Sequence, residues 1–367
     1  MTITNKQIVL SQRPSGEVKE TDFKLIESPV PKLKDGEVLL KTQYFSLDPY
    51  MRSRMNDIDS YIGPNKLNEV LEGAAICIIE DSKNPNFKVG DLFLTFTGWQ
   101  EYTVVTPNLI KGMAFNPVSV TKLDPDIKPS LYLGALGMPG FTAYHGLLEI
   151  GQPKKGETVV VAAATGPVGS MVGQLAKARG CYAVGIAGGS EKCRYAVEHL
   201  GFDACVDHKS KTMAQDLKKA CPKGIDIYYE NVGGPVFSAV LPLLNEFSRV
   251  PVCGAVHWYN DGVTLGEKSF SPSQIIPRVA AFSHMLLHLD QTPLIWLAMI
   301  GKRIKFQGFI ISDNFDDYPQ FLKETIPLIK SGKIIAKEDI IKGIENAPQA
   351  FAGLLRGKNF GKLVIEI

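Results

Sequence analysis

Thr158-Val-Val-Val-Ala-Ala-Ala-Thr-Gly-Pro-Val-Gly-Ser-Met-Val-Gly-Gln-Leu-Ala-Lys177 is the stretch on which the fold turns. Thr158 to Ala164 is short, uncharged and rich in β-branched residues, as befits a strand covered on both faces. It runs into Thr165-Gly166-Pro167-Val168-Gly169. After that turn, apolar Val168, Met171, Val172, Leu175 and Ala176 recur at helical spacing until Gly180, which supplies a stop. Strand, glycine turn and helix in this order set backbone N–H groups and the positive end of a helix dipole against a pyrophosphate. The motif reads Ala164-x-Gly166-x-x-Gly169, with alanine at the place of the usual first glycine.

Working outward, Tyr182 to Ala187, Ala204 to Asp207, Ile225 to Glu230 and Val250 to Cys253 are the next candidate strands. They alternate with helical patterns between about Pro129 and Lys305, which argues for βα units and a parallel sheet. From Gln7 to about Val105 the rhythm differs: short β-rich pieces such as Glu37 to Phe45 and Gly73 to Ile79 are divided by Pro, Gly, Asn and Asp, as in a small barrel. A helical pattern spans about Tyr318 to Ile329, and the chain ends in a strand, Lys362 to Ile367, expected to return to the first domain.

The second strand of the α/β region speaks to the cofactor. A site for NAD asks for an acid about 20 residues after the glycine turn, to accept from the ribose 2′-OH. Tyr182 to Ser190 holds no acid; its end is Gly188-Gly189-Ser190, followed by Lys192. An open turn beside an ammonium suits a 2′-phosphate, so NADP(H) is favoured, while a solvated lysine in a first helical turn is the plainer reading of Lys192.

Composition narrows the classes. The chain has 367 residues, 40 Lys and Arg against 38 Asp and Glu, and 45% hydrophobic residues. That length suggests two domains, and charge spread along the chain steers towards neither nucleic acid nor an anionic membrane. The uncharged stretches Pro129 to Leu148 and Thr158 to Ala176 are broken by Pro139-Gly140 and Gly166-Pro167, which disfavours a spanning helix. Six scattered cysteines without a CxxC pair read as buried free thiols, and the whole as a cytoplasmic protein. The barrel region offers one cysteine, Cys77, and no histidine, so no zinc ligand set is expected and no metal. His284 and His288 stand at i, i+4 spacing with no third ligand in register and are read as a packed or exposed helical pair.

These residues, with Glu191-Lys192, Asn231-Val-Gly-Gly234 and Cys253-Gly-Ala-Val-His-Trp-Tyr-Asn260, resemble the zinc-independent medium-chain dehydrogenases/reductases, in the branch of prostaglandin reductases, alkenal double-bond reductases and NADPH-dependent curcumin reductases. Leu47-Asp-Pro-Tyr-Met-Arg52, Gly98-Trp99, Pro139-Gly140 with Thr142-Ala-Tyr144, Gln307-Gly-Phe309 and Asn359-Phe-Gly-Lys362 extend the likeness over nearly the whole chain. The resemblance implies an α/β fold with a GroES-like β-barrel domain at 1–130, a Rossmann doubly wound parallel sheet at 131–308 and a return segment at 309–367 that completes the barrel. It also implies a homodimer.

By the same resemblance, Gly166, Val168 and Gly169 cradle the phosphates of NADPH, and Gly188, Ser190 and Lys192 take the 2′-phosphate. Asn231, Cys253 and Asn359 line the cofactor, with Thr142 and Phe309 near the nicotinamide. Tyr50 and Tyr259 are the candidate catalytic residues, with Tyr61 and Arg52 on the substrate side; Arg52 and Asp48 are also read as fixing the loop. Where relatives usually carry tyrosine against the 2′-phosphate this chain has His208, whose charge depends on pH, so a weaker NADP preference is expected in alkali. Together these point to metal-free reduction of an α,β-unsaturated ketone or aldehyde, in which a phenol stabilises an enolate oxygen. A quinone reductase on the same scaffold, or a dinucleotide-binding protein without turnover, are the readings beside it.

Overall fold

The computed structural model describes residues 3–58, 60–260 and 292–367. Strands β1 (Thr4–Leu10) and β2 (Phe23–Pro29) form an antiparallel ribbon. Next come β3 (Val38–Ser46), β4 (Ala75–Ser82), β5 (Leu92–Thr95), β6 (Tyr102–Val105), β7 (Asn108–Leu109) and β8 (Ser119–Lys122), the N-terminal strands of a mixed sheet. Helix α1 (Met138–His145) leads from it into the alternating part of the chain.

That part runs β9 (Thr158–Ala162), α2 (Pro167–Ala178), β10 (Tyr182–Ala187), α3 (Ser190–Glu198), β11 (Ala204–Asp207), α4 (Met213–Ala220), β12 (Ile225–Tyr229), α5 (Gly234–Val240) and β13 (Leu244–Val252). After the undescribed residues come α6 (Thr292–Lys302) and β14 (Lys305–Gly308). The six strands lie parallel in the order β11-β10-β9-β12-β13-β14, the doubly wound order in which β9 and β12 flank the point where the winding reverses. The uniform apolarity of β9 has a direct cause: Val159 and Val161 pack into a core on one face of the sheet, Val160 and Ala162 into a core on the other.

The chain then passes through α7 (Tyr318–Lys330), β15 (Glu338–Lys342), α8 (Ala347–Leu355) and β16 (Lys362–Glu366). β16 pairs antiparallel with β3, so the last strand lies in the sheet built by the first hundred residues. Phe351 of α8 sits edge-on to Trp99, which also stacks on Phe23 and Phe45, all four rings buried in one core. The chain thus builds one sheet domain from both its ends and a parallel-sheet domain between them. Among the described residues no helix is long and apolar enough to cross a membrane.

Two boundaries differ from the sequence reading. The strand read as Thr158 to Ala164 ends at Ala162, because Ala163 takes φ +54° and turns the chain. The strand read as Val250 to Cys253 begins already at Leu244; its polar opening and Phe247, at φ +59°, hide the pattern, and its register with β12 is interrupted.

Candidate active site

The phosphate cradle is assembled at the end of β9. Ala163 adopts the left-handed conformation that alanine normally avoids at a cost of roughly 1–2 kcal/mol. Gly166 donates back to the Ala163 carbonyl at 2.9 Å and caps α2. Pro167 has no N–H, so Val168 and Gly169 provide the first amides of a helix whose opening turn has no i−4 partners. A Cβ at Gly169 would collide with the Ala163 carbonyl, so glycine lets the helix sit close on the strand end. Asn231, just beyond β12, donates from Nδ2 to the Ala162 carbonyl at 2.9 Å and so ties the two strands at the reversal point.

The next turn forms a basic corner. Gly189, at φ +95°, opens α3, and its N–H donates to Asp207 Oδ1 at 2.8 Å; Lys209 N–H donates to the same oxygen at 2.9 Å. Against the upward push of burial, these two bonds hold the Asp207 carboxyl below its usual range. The acid at the end of the third strand thus shapes the Gly188–Ser190 turn. A Cβ at Gly188 would come within 2.8 Å of His208 Nε2, so the space between them exists because residue 188 has no side chain.

Lys192 is half-buried and donates to the carbonyls of Gly357 at 2.8 Å and Asn359 at 2.5 Å. Desolvation, then the neighbouring Lys209, lowers its pKa. Neither lysine forms a salt bridge among the described residues. Lys192 and Lys209 therefore face each other as repelling cations beside the His208 imidazole, an arrangement that an added phosphate would relieve. Lys209 carried no sequence signal that separates it from a solvated lysine. Desolvation also lowers the His208 pKa below 6.5, partly offset by Asp207, so His208 is already neutral at pH 7. The charge change lies on the acid side, which moves the expected pH dependence of NADP preference from alkali to acid.

Across the cleft, Tyr50 stands in a 3₁₀ turn, Pro49–Met55, opened by Asp48. Burial, then the charge of Asp48, pushes its phenol well above 10. Tyr61 leaves 52% of its surface open, yet its hydroxyl is pushed up to about 12 by desolvation and by Tyr259. Tyr259, following a short turn at Val256–Trp258, accepts a 3.4 Å bond from the Ala255 N–H, and burial raises its pKa. Tyr61 lies within electrostatic reach of Tyr50 on its own domain and of Tyr259 and Cys253 on the parallel-sheet domain. Beside Tyr50 lies a small crevice, with room for about one water molecule, lined in part by Leu94, Phe96, Met113, Phe115 and Met138.

Arg52 departs from its substrate-side expectation. It is 1% exposed, and its three nitrogens donate to protein: Nη1 to Asn56, Nη2 to the Gly16 carbonyl and Nε to Asn260 at 3.2 Å. The guanidinium thus ties the Tyr50 turn to the residue after Tyr259, in keeping with the loop-fixing reading.

Thr142, Tyr229 and Phe309 pack together. Tyr229, buried at the end of β12, donates to the Thr142 carbonyl at 2.7 Å, while Thr142 Oγ1 donates to Met138. Phe309 packs 5.7 Å from His145 and edge-on to Tyr229 at 6.5 Å. Burial pushes the Cys253 thiol up to about 12, although a hydrogen bond with Tyr229 opposes it, so at neutral pH Cys253 is no nucleophile. Asn359 donates from Nδ2 to Gly361 at 2.8 Å, and its carbonyl faces Lys192. Sequence reasoning passed over Tyr229, which sits inside a run read only as a strand. Among the described residues no three His, Cys, Asp or Glu side chains gather to hold a metal ion; His284 and His288 lie outside the described residues.

Two family models match the chain: an N-terminal domain of oxidoreductase over residues 6–112 and a zinc-binding dehydrogenase over residues 167–288. The NADPH-dependent curcumin reductase of Escherichia coli is 47% identical over 364 residues, covering 99% of this chain and 97% of the relative. The NADP(+)-dependent 2-alkenal reductase of Nicotiana tabacum is 38% identical, covering 100% and 98%. The crystal structure of CurA from Vibrio vulnificus in complex with NADPH superposes with a TM-score of 0.85 at 46% identity, covering 98% of each chain.

Proposed function

The chain belongs to the medium-chain dehydrogenase/reductase family, in the branch of prostaglandin, alkenal and curcumin reductases, and from that membership we propose that it uses NADPH to reduce the C=C bond of α,β-unsaturated ketones or aldehydes. The observation that carries this reading is the place of Tyr61, within electrostatic reach of Tyr50 in the sheet domain and of Tyr259 and Cys253 in the parallel-sheet domain.

Bound NADPH supplies a hydride. The Val168 and Gly169 amides at the start of α2 receive the pyrophosphate, and the corner of Lys192, His208 and Lys209 receives the 2′-phosphate. As the substrate's β-carbon gains its C–H bond, the π electrons shift onto the carbonyl oxygen. The Tyr50 phenol, kept neutral by burial, donates a hydrogen bond to that growing charge. No metal ion takes part in this reading; the acid role falls to the phenol. A proton then adds at the α-carbon, from water or a phenol, and gives the saturated carbonyl product. Tyr259 positions the substrate.

The test is turnover of an enone with NADPH deuterated at the transferable position. Deuterium on the β-carbon of a saturated ketone or aldehyde supports the reading; deuterium on the carbonyl carbon of an allylic alcohol refutes it. Tyr50→Phe should lower kcat about ten- to a thousandfold with NADPH affinity unchanged, the loss typical of one oxyanion donor.

A further inference from the structure

Two thiols lie beneath the basic corner. Cys193 is in the first turn of α3, next to Lys192, and Cys205 is in β11, two residues before Asp207. They belong to one apolar cluster on packed neighbouring elements, are within electrostatic reach of each other, and are each half-buried rather than sealed in the core. In contrast, Cys77, Cys181 and Cys221 are buried. The room above Cys205 comes from Gly185, where a Cβ would stand 3.0 Å from its Sγ.

We propose that Cys193 and Cys205 are a redox-modified pair, which a peroxide converts to a disulfide that weakens binding of the 2′-phosphate of NADPH. The second half of this rests on the cofactor reading above.

The chemistry divides between the two sulfurs. Cys193 is the attacking group: the neighbouring Cys205 thiol, then the Ala187 backbone, lower its pKa against burial. It also stands at the positive end of a helix dipole. Cys205, raised by Cys193 and by its own desolvation, stays protonated. The Cys193 thiolate attacks the peroxide, breaking its O–O bond; the departing oxygen leaves as water and Cys193 becomes a sulfenic acid. Cys205 sulfur then attacks the sulfenic sulfur. The S–S bond forms, the S–O bond breaks, and the Cys205 proton leaves with the hydroxide as a second water. Two thiols and one peroxide give one disulfide and two waters.

Geometry links this bond to the cofactor corner. A disulfide brings its sulfurs to about 2.05 Å, nearer by roughly 1.5 Å than two thiols in contact. The first turn of α3 and the end of β11 must close together to allow it. The former carries Ser190 and Lys192, the latter Asp207, which holds the Gly189 N–H, and His208. The walls that define the phosphate corner therefore shift, while the Tyr50 side of the cleft stays as it is.

The full chain, reduced and then treated with stoichiometric hydrogen peroxide, is to be followed by intact mass, by non-reducing peptide mapping and by KM for NADPH and NADH. A loss of about 2 Da, a Cys193–Cys205 cross-linked peptide, and a rise in KM for NADPH of at least about fivefold are expected. KM for NADH should move less than twofold, and a dithiol should reverse all of it. Cys193→Ser and Cys205→Ser should each abolish both the cross-link and the KM response. Absence of the cross-linked peptide, with the thiols intact or singly over-oxidised, overturns the proposal. A cross-link that leaves the NADPH-to-NADH ratio unchanged overturns its coupling to the phosphate corner. An enzyme without NADPH preference before oxidation sinks the cofactor reading instead, and the peptide map still decides the modification.

Discussion

Lys362 is 2% exposed, yet its ammonium lies in the interior, donating to Asp48 Oδ1 at 2.6 Å and the Leu47 carbonyl at 2.9 Å. The other Asp48 oxygen accepts from Ser46. The pair joins the last strand to the residue that opens the Tyr50 turn, 314 positions away in the chain. Lys362→Met keeps much of the stem's volume but strands the carboxylate with one hydroxyl donor. Removing one partner of a buried pair costs about 3–5 kcal/mol, mainly from the charge left uncompensated. At about 2–4 °C per kcal/mol for a cooperative unit of 150–250 residues, Tm should fall by about 6–20 °C. The assay is thermal unfolding of the single variants Lys362→Met and Asp48→Asn and of the double variant, at one fixed scan rate because large chains often unfold irreversibly. The double variant has no stranded charge and should recover at least half of the larger single loss. A shift below about 2 °C in Lys362→Met, or a double variant whose loss equals the sum of the singles, refutes the pairing as the link between these segments.

Lys192→Ala removes one charged donor from the phosphate corner, worth about 1.5 kcal/mol or more, and should narrow the NADPH-over-NADH ratio in kcat/KM about tenfold. Because the same ammonium props the Gly357 and Asn359 carbonyls, KM for both cofactors should rise, and only the ratio reports on the phosphate; an unchanged ratio removes Lys192 from it. His208 gains its charge below pH 6.5, so its contribution to NADPH preference should grow as pH falls from 7 to 5. The phosphate's own protonation near pH 6 works the other way in every variant. The measure is therefore the preference of the wild type divided by that of His208→Asn; a quotient flat across this range excludes the imidazole.

The parts of the molecule legible in its sequence are those whose physics is local. A strand buried on both faces needs uninterrupted apolar residues, and Thr158 to Ala162 supplies them; a helix docked on it needs a 3.6-residue stripe, and Val168 to Ala176 supplies that. β13 hid its first half because Asn245, Glu246 and Ser248 interrupt the pattern while Phe247 bends the backbone.

Distance in sequence concealed the rest. Arg52 reads both as a substrate-side residue and as one that fixes its loop, but its partner Asn260, 208 residues on, is visible only in the fold; nothing local in the sequence pairs Lys362 with Asp48. Cys193 and Cys205 are 12 apart with no motif between them, and only the pairing of Gly185 with Cys205 brings β11 alongside β10, under the helix that carries Cys193. Each of these contacts joins a residue whose type is unremarkable alone to a partner supplied by topology. That explains why the cradle for the cofactor can be read from some thirty consecutive residues, whereas the surroundings of Tyr50 and Tyr259 depend on a turn near residue 50, a loop near 260 and a final strand joined by Arg52–Asn260 and Lys362–Asp48.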